Sequence, residues 1–240
     1  MPRKLILLHG WLGDPGDFDG LSLHLPHLVA LPLPGHGGPE LNLASRTGPV
    51  LDELAGRILD EAGGEPFTLG GYSMGGRLAA WLTFEKKVRP EALLLIAAGP
   101  GIPDETMRRD RLALDRCRAA DVCGSKFPDF LERWYRKKLF GSLRERDDFG
   151  SILERRRRRD PRQVAYALEV LSIGCQPDLT RRKFEIEMMY IAGEQDRKYA
   201  ALAAGWKNAK TAIVAGAGHA VHLEQPAEVA RLIQEWEKNL

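Results

Sequence analysis

Residues 69–77 read Leu-Gly-Gly-Tyr-Ser-Met-Gly-Gly-Arg, directly after the apolar segment Pro66-Phe-Thr-Leu69 and running into the helix-compatible stretch Arg77-Leu-Ala-Ala-Trp-Leu-Thr-Phe-Glu85. A Gly-x-Ser-x-Gly run in that setting describes a strand that turns sharply into a helix, with only hydrogen tolerated as the side chain at Gly71 and Gly75. The turn pushes Ser73 out of the sheet and leaves its hydroxyl at the helix N-terminus, where backbone amides favour negative charge. A glycine-rich turn with an incidental serine reads the same way, so the chemistry of Ser73 depends on what the rest of the chain supplies.

An acid and a histidine follow in the chain order Ser, Asp, His that α/β-hydrolase folds use. The apolar run Ile186–Gly193 ends in Glu194-Gln-Asp196, and Thr211–Gly218 ends in His219, so each group lies just past a predicted strand. Catalytic groups of open α/β sheets sit at those carboxyl ends. Ser73, Asp196 and His219 are therefore expected along one edge of one sheet. Two rivals stand beside them. Glu194 is the nearer acid, but Asp196 lies farther beyond the strand, where the chain can reach back. His222 falls a turn into the helix that begins near Ala220, a place for packing or solvent.

The fourth piece is N-terminal. Lys4-Leu-Ile-Leu-Leu-His9 reads as a short buried strand, followed by Gly10-Trp-Leu-Gly13. A His-Gly turn at this place supplies one backbone N–H of an oxyanion hole, and the residue after the nucleophile supplies the other. Here those donors are the amides of Trp11 and Met74. His9 itself is read as a side chain that ties the loop down, without chemistry of its own.

At 240 residues the chain suffices for one α/β domain with an insertion. From Lys4 to about Gly99 short apolar runs (Leu5–His9, Leu28–Leu33, Phe67–Tyr72, Ala92–Ala98) alternate with helical patterns such as Val50–Leu59, which implies a parallel sheet with helices on both faces. From about Pro100 to Lys183 the pattern is helical only. From Glu185 the alternation resumes, and Ala227–Leu240 reads as an amphipathic helix. The expected architecture is an α/β-hydrolase fold: a mostly parallel twisted sheet flanked by helices, with a core of residues 1–99 and 184–240 and an inserted helical cap at 100–183. No apolar run approaches the ~20 residues that cross a bilayer, and residues 1–10 lack the plan of a signal peptide, so no membrane association is expected. Cys117, Cys123 and Cys175 have no metal-ligand spacing and cannot all pair, which suits a reduced, cytoplasmic setting. No Walker loop, zinc pattern or dinucleotide fingerprint argues for a cofactor or metal.

Charge collects in the cap. Residues 101–183 hold 21 Lys plus Arg against 14 Asp plus Glu, a net of +7 in a chain whose total is only +2. A cap so basic, lying over the active edge, should draw in a small anionic substrate. The run Arg155–Arg159 points in all directions on a helix, so most of it is expected in solvent, Arg158 and Arg159 included. One short run without interleaved aromatics gives little support for nucleic acid as a partner.

Taken together, His9-Gly-Trp-Leu-Gly13, Leu33-Pro-Gly-His-Gly37, Gly71-Tyr-Ser-Met-Gly-Gly-Arg77, Trp134-Tyr135 with Leu139-Phe140, and Gly193-Glu-Gln-Asp-Arg-Lys-Tyr199 resemble the 2-succinyl-6-hydroxy-2,4-cyclohexadiene-1-carboxylate synthases, α/β-hydrolase-fold lyases of menaquinone synthesis. The resemblance runs from about Leu5 to the end. It departs at Pro32, where the family commonly has Asp, and at Lys138, where it usually has Pro. It implies elimination of pyruvate from a cyclohexene carrying several carboxylates, with the serine as a base activated by His219 and Asp196. It also implies substrate contacts from Arg77, from Arg111 with Arg108 as the alternative, from one arginine of 155–159 with Arg156 favoured, and from the pocket-wall groups Tyr72 and Trp134. No cofactor is implied, and the chain is expected to act as a monomer or weak homo-oligomer. A carboxylesterase or carbon–carbon bond hydrolase of the same fold is the rival enzyme, and a non-catalytic ligand receptor the rival outside catalysis.

Overall fold

The computed structural model describes residues 3–240. Its elements run β1 (Lys4–Leu8), α1 (Asp19–Ser22), β2 (Leu28–Leu31), α2 (Thr47–Ala62), β3 (Phe67–Tyr72), α3 (Met74–Phe84) and β4 (Ala92–Ile96). Then come α4 (Glu105–Gly124), α5 (Phe127–Tyr135), α6 (Gly141–Arg144), α7 (Phe149–Arg157) and α8 (Pro161–Val170). The chain closes with β5 (Glu187–Gly193), α9 (Arg197–Leu202), β6 (Ala209–Val214), α10 (Val221–Glu224) and α11 (Pro226–Glu237). Six parallel strands form one sheet in the order β2-β1-β3-β4-β5-β6. Parallel pairing puts every carboxyl end on one edge, which is why groups far apart in sequence meet there.

Alternate side chains of a strand point to opposite faces, and the core divides accordingly. Leu5 and Leu7 join Leu21, Val229, Ile233 and Trp236 on one face, while Ile6 and Leu8 join Leu54, Ile58, Leu78 and Leu82 on the other. Helices α1 and α11 thus cover the first face, and α2 and α3 the second. Several element ends differ from the sequence expectation for local reasons. Strand β2 stops at Leu31 because Pro32 has no N–H for the ladder. Strand β4 stops at Ile96 because Ala97 has φ 46°, and β6 gives way to a turn in which Gly216 has φ 70°. Helix α2 is longer than expected and ends at Gly63, whose left-handed conformation (φ 67°) caps it.

Between β4 and β5 the described chain contains helices and no strand. Leu179 N–H donates to the Pro100 carbonyl (2.8 Å), closing the neck of this insertion beside two paired strands. Among the described residues no helix is long and apolar enough to cross a membrane.

Candidate active site

Ser73 stands between β3 and α3 with φ 50° and ψ −107°, a strained conformation for a residue with a side chain. Gly71 and Gly75 are required for a different reason from the turn itself: neither has positive φ, but a Cβ on either would run into the Leu8 carbonyl of β1. The glycines let the elbow press against the neighbouring strand, and the serine carries the strain. Its amide donates to the Ile96 carbonyl (2.8 Å), so the elbow is held from both sides.

The structure brings Ser73, His219 and Asp196 together. His219 Nε2 lies 3.3 Å from Ser73 Oγ, and His219 Nδ1 lies 2.6 Å from Asp196 Oδ2. His219 and Asp196 are both buried. Asp196 caps α9, accepting the Tyr199 amide on Oδ1 (3.3 Å), which leaves Oδ2 for the histidine. Glu194 is exposed and turns to the Gly216 amide (3.0 Å), holding the loop that leads to His219. Glu224, which sequence reasoning missed, accepts the amides on either side of the histidine, Gly218 on Oε2 (2.6 Å) and Ala220 on Oε1 (3.1 Å). A glutamate one turn past the histidine was its only sequence signal. His222 is packed between Phe18 and Tyr72 at centroid distances of 5.0 and 4.3 Å, and neither ring nitrogen has a partner.

Two histidines lock the loop after β1. Amides only donate and carbonyls only accept, so each tautomer follows from its partners. His9 donates from Nδ1 to the Gly10 carbonyl (2.8 Å) and accepts the Leu33 amide on Nε2 (3.0 Å). His36 donates from Nδ1 to the Pro34 carbonyl (3.0 Å) and accepts the Leu12 amide on Nε2 (3.1 Å). Burial pushes His9 down to about 4 and His36 down to about 3, keeping both neutral. Leu12 is held at φ 67°, and the Trp11 amide before it has no backbone acceptor among the described residues. Met74 opens α3, so its amide has no intrahelical acceptor either.

A cavity of about 230 Å³ opens beside these groups, lined by Trp11, Tyr72, Ser73, Met74, Trp134, Tyr199 and His219. Six cationic side chains (Arg77, Arg111, Arg118, Lys137, Arg156, Lys198) face it against one carboxylate, Asp17. Arg77 is buried one turn along α3 and is bound only to neutral groups, the Leu171 carbonyl and Gln176 Oε1. Burial and the nearby Arg111 charge push its pKa down to about 10. Arg111 grips the buried Asp115 through Nε (2.9 and 3.0 Å), an arrangement that leaves its outer nitrogens free. Arg118 shares Asp115 through Nη1 (2.7 Å). Arg108 turns instead to the Ile102 and Pro103 carbonyls and does not line the cavity. Sequence reasoning missed Arg118, Lys137 and Lys198, although Arg118 lies seven residues past Arg111, on the same face of α4.

Arg156 lines the cavity, as expected of a substrate contact, but its guanidinium is already engaged within the protein. It donates to Tyr135 Oη (3.2 Å), to Asp14 (2.9 Å) and to both oxygens of Asp17 (2.6 and 2.7 Å), and its charge is matched inside the protein. A buried cation needs such compensation. Arg159 is likewise not in free solvent: it donates to the His36 carbonyl (2.9 Å) and pairs with Asp14 (2.8 Å). Arg155 joins the same cluster, at 3.1 Å from Asp17. Only Arg158 stands exposed as expected among these. The helix α7 arginines thus clasp the loop that carries the Trp11 amide.

A six-stranded parallel sheet with a serine elbow, an acid and a histidine at its carboxyl edge defines a class, and the comparison with known proteins agrees. The chain belongs to the alpha/beta hydrolase family, whose profile matches residues 5–232. Within it, the chain is 30% identical to the 2-succinyl-6-hydroxy-2,4-cyclohexadiene-1-carboxylate synthase of Escherichia coli (strain SE11), over 94% of this chain and 90% of that protein. The synthase of the same name from Enterobacter sp. (strain 638) is 28% identical over 96% and 90%. Among solved structures, MenH from S. aureus superposes with a TM-score of 0.92 at 27% identity, covering 99% of this chain and 94% of that one. An esterase from Thermogutta terrifontis, 21% identical, shares the fold with a TM-score of 0.82, covering 99% and 90%.

Proposed function

We propose that this protein is a carbon–oxygen lyase that eliminates pyruvate from 2-succinyl-5-enolpyruvyl-6-hydroxy-3-cyclohexene-1-carboxylate, giving 2-succinyl-6-hydroxy-2,4-cyclohexadiene-1-carboxylate. The observation that carries the reading is a serine–histidine–aspartate relay opening onto a pocket rich in cations, in a chain similar over its length to synthases of that name. The ring's one double bond, at position 3, becomes two, at positions 2 and 4: the C2–H electron pair forms the 2,3 bond, the 3,4 pair shifts to 4,5, and the C5–O bond breaks. The proton therefore leaves C2, beside the succinyl carbonyl, and the enolpyruvyl oxygen leaves C5. His219, oriented by Asp196, takes the Ser73 proton, and the serine oxygen takes the C2 proton. The Trp11 and Met74 amides hold the charge that spreads onto the carbonyl, as an oxyanion hole holds a tetrahedral oxygen. Departing enolpyruvate picks up a proton and becomes pyruvate, and no acyl-serine forms.

Arg77 and Arg111 pair with substrate carboxylates, while Tyr72 and Trp134 wall the pocket. Arg156 lies in the same wall and serves chiefly to brace the loop of the Trp11 amide. Residues 100–183 act as a cap over a core of 1–99 and 184–240. The three free thiols support a reducing, cytoplasmic setting. An esterase for neutral substrates would have no use for an uncompensated Arg77. Incubation with the cyclohexene, with pyruvate followed by a coupled dehydrogenase, tests the reading. Release above the spontaneous rate supports it. Ester hydrolysis without pyruvate release would move the protein to the hydrolases.

A further inference from the structure

The cations around the pocket are not equivalent, and the two that stand over Trp134 have unused capacity. Lys137 follows the end of α5 at the pocket mouth and places Nζ 3.5 Å from the centroid of the Trp134 ring. Arg118, from α4, sets its guanidinium carbon 5.7 Å from the same centroid. Their nearest carboxylates are already engaged: Asp115 holds both Arg111 and Arg118, and Asp121 holds Arg133 at 2.8 Å. Two like charges thus share one indole, whose attraction for a cation is modest beside that of an anion. Burial against this wall and the Arg118 charge lower the pKa of Lys137 to about 8, while Asp121 and Asp115 oppose the shift.

We infer that Lys137 and Arg118, mounted on Trp134, form an outer carboxylate subsite that takes an acid group of the substrate remote from the reacting carbon. The inference rests on the polycarboxylate reading of the site. Its reach is set by a rigid contact: Trp134 meets Trp11 edge-on, with centroids 4.7 Å apart and planes at 87°. Trp11 also supplies the amide assigned to the oxyanion hole, so one contact fixes the spacing between the outer carboxylate and the developing enolate. Substrates with that spacing are selected, and a shorter or neutral side arm is not. Arg118 uses Nη1 on Asp115, which leaves Nη2 to meet a ligand oxygen.

Pyruvate release should be measured for the wild type and for Lys137→Gln, Arg118→Gln and Lys137→Arg. Lys137→Gln and Arg118→Gln should each raise KM about 5- to 20-fold, the range for a charged hydrogen bond discounted for solvent at the rim. Because the subsite binds and does not react, kcat should stay within about twofold. Lys137→Arg should restore most of the loss. Thermal-shift titration of the same changes in a Ser73→Ala background, with intact substrate, should show the matching loss of affinity. An active wild type whose KM and Kd are unmoved by either glutamine overturns the subsite alone. A wild type that releases no pyruvate overturns the functional reading, and the subsite falls with it.

Discussion

Acid should destabilise this protein well above the pH at which its carboxylates titrate, because His9, His36 and His222 are buried as neutral rings. They are 0%, 0% and 1% exposed, and burial lowers their pKa values to about 4, 3 and 3 from 6.5. Between pH 6.5 and about 4 the unfolded chain therefore binds protons that the fold refuses. Stability is full above pH 6.5 and falls as the pH drops through that window. Protonation of an unfolded histidine at pH 5, one and a half units below its pKa, is worth about 2 kcal/mol. Three such groups amount to about 6 kcal/mol, set against the ~5–15 kcal/mol that holds a typical domain together. Urea unfolding at pH 7.5, 6.5, 5.5 and 5 measures the loss directly. His222→Leu separates one contribution from the rest, since neither nitrogen of that ring has a partner to lose. It should remove about one third of the acid sensitivity without lowering stability at pH 7.5. Stability constant to about 1 kcal/mol between pH 7.5 and 5 would refute the reasoning, as would a leucine variant with an unchanged pH slope.

Four further expectations concern the site. Ser73→Ala should lower turnover by about 10²–10⁴ with little change in binding, and intact-protein mass spectrometry of quenched wild-type reactions should show no acyl adduct on Ser73. Arg77→Ala should lower kcat/KM by roughly 30- to 1,000-fold, which corresponds to about 2–4 kcal/mol for a charged hydrogen bond lost and a carboxylate left unpaired, and most of that loss should persist at high salt. The same assay on Arg158→Ala, an exposed arginine, should show a small effect that fades as salt is added. Asp17→Asn leaves Arg156 with Asp14 alone and should cost about 3 kcal/mol in urea unfolding, with a larger fall in kcat than rise in KM if the clasp holds the Trp11 amide in place.

Much of this arrangement was legible in the sequence because parallel strands send their ends to one edge. The apolar runs marked all six strands, and the errors fell at strand ends: Pro32, Ala97 and Gly216 cut three ladders short, β1 stops one residue before His9, β5 starts one residue after Ile186, and β6 starts two residues before Thr211. The same edge rule was enough to name Ser73, Asp196 and His219 as neighbours. Charge pairing was not legible. A sequence counts arginines but does not say which carboxylates they will meet, so Arg156 read as a substrate contact and Arg159 as a solvated charge, although Asp14 and Asp17 lie some 140 residues upstream and hold them. Lys137 and Lys198 escaped notice because a lysine's relevance lies in where its long stem is laid. The elbow glycines were recognised for the turn, whereas the contact that requires them, the Leu8 carbonyl, belongs to another strand.

The order in which the sheet is built has a consequence for the nascent chain. Strands β2, β1, β3 and β4 are complete once Ile96 has been made, but β5, the partner of β4, begins only at Glu187. At ~5–20 residues per second, the 90 residues of 97–186 take roughly 5–20 s to synthesise. Throughout that interval Ala92-Leu-Leu-Leu-Ile96 is the growing edge of a half-finished sheet, apolar on both faces and short of any charge that would discourage a second chain from pairing with it. The helices emerging meanwhile, α4 to α8, carry the net positive charge of the protein. Screening limits that charge to about 8 Å at physiological salt, so it opposes only the final approach of two such edges and does not act between chains at a distance.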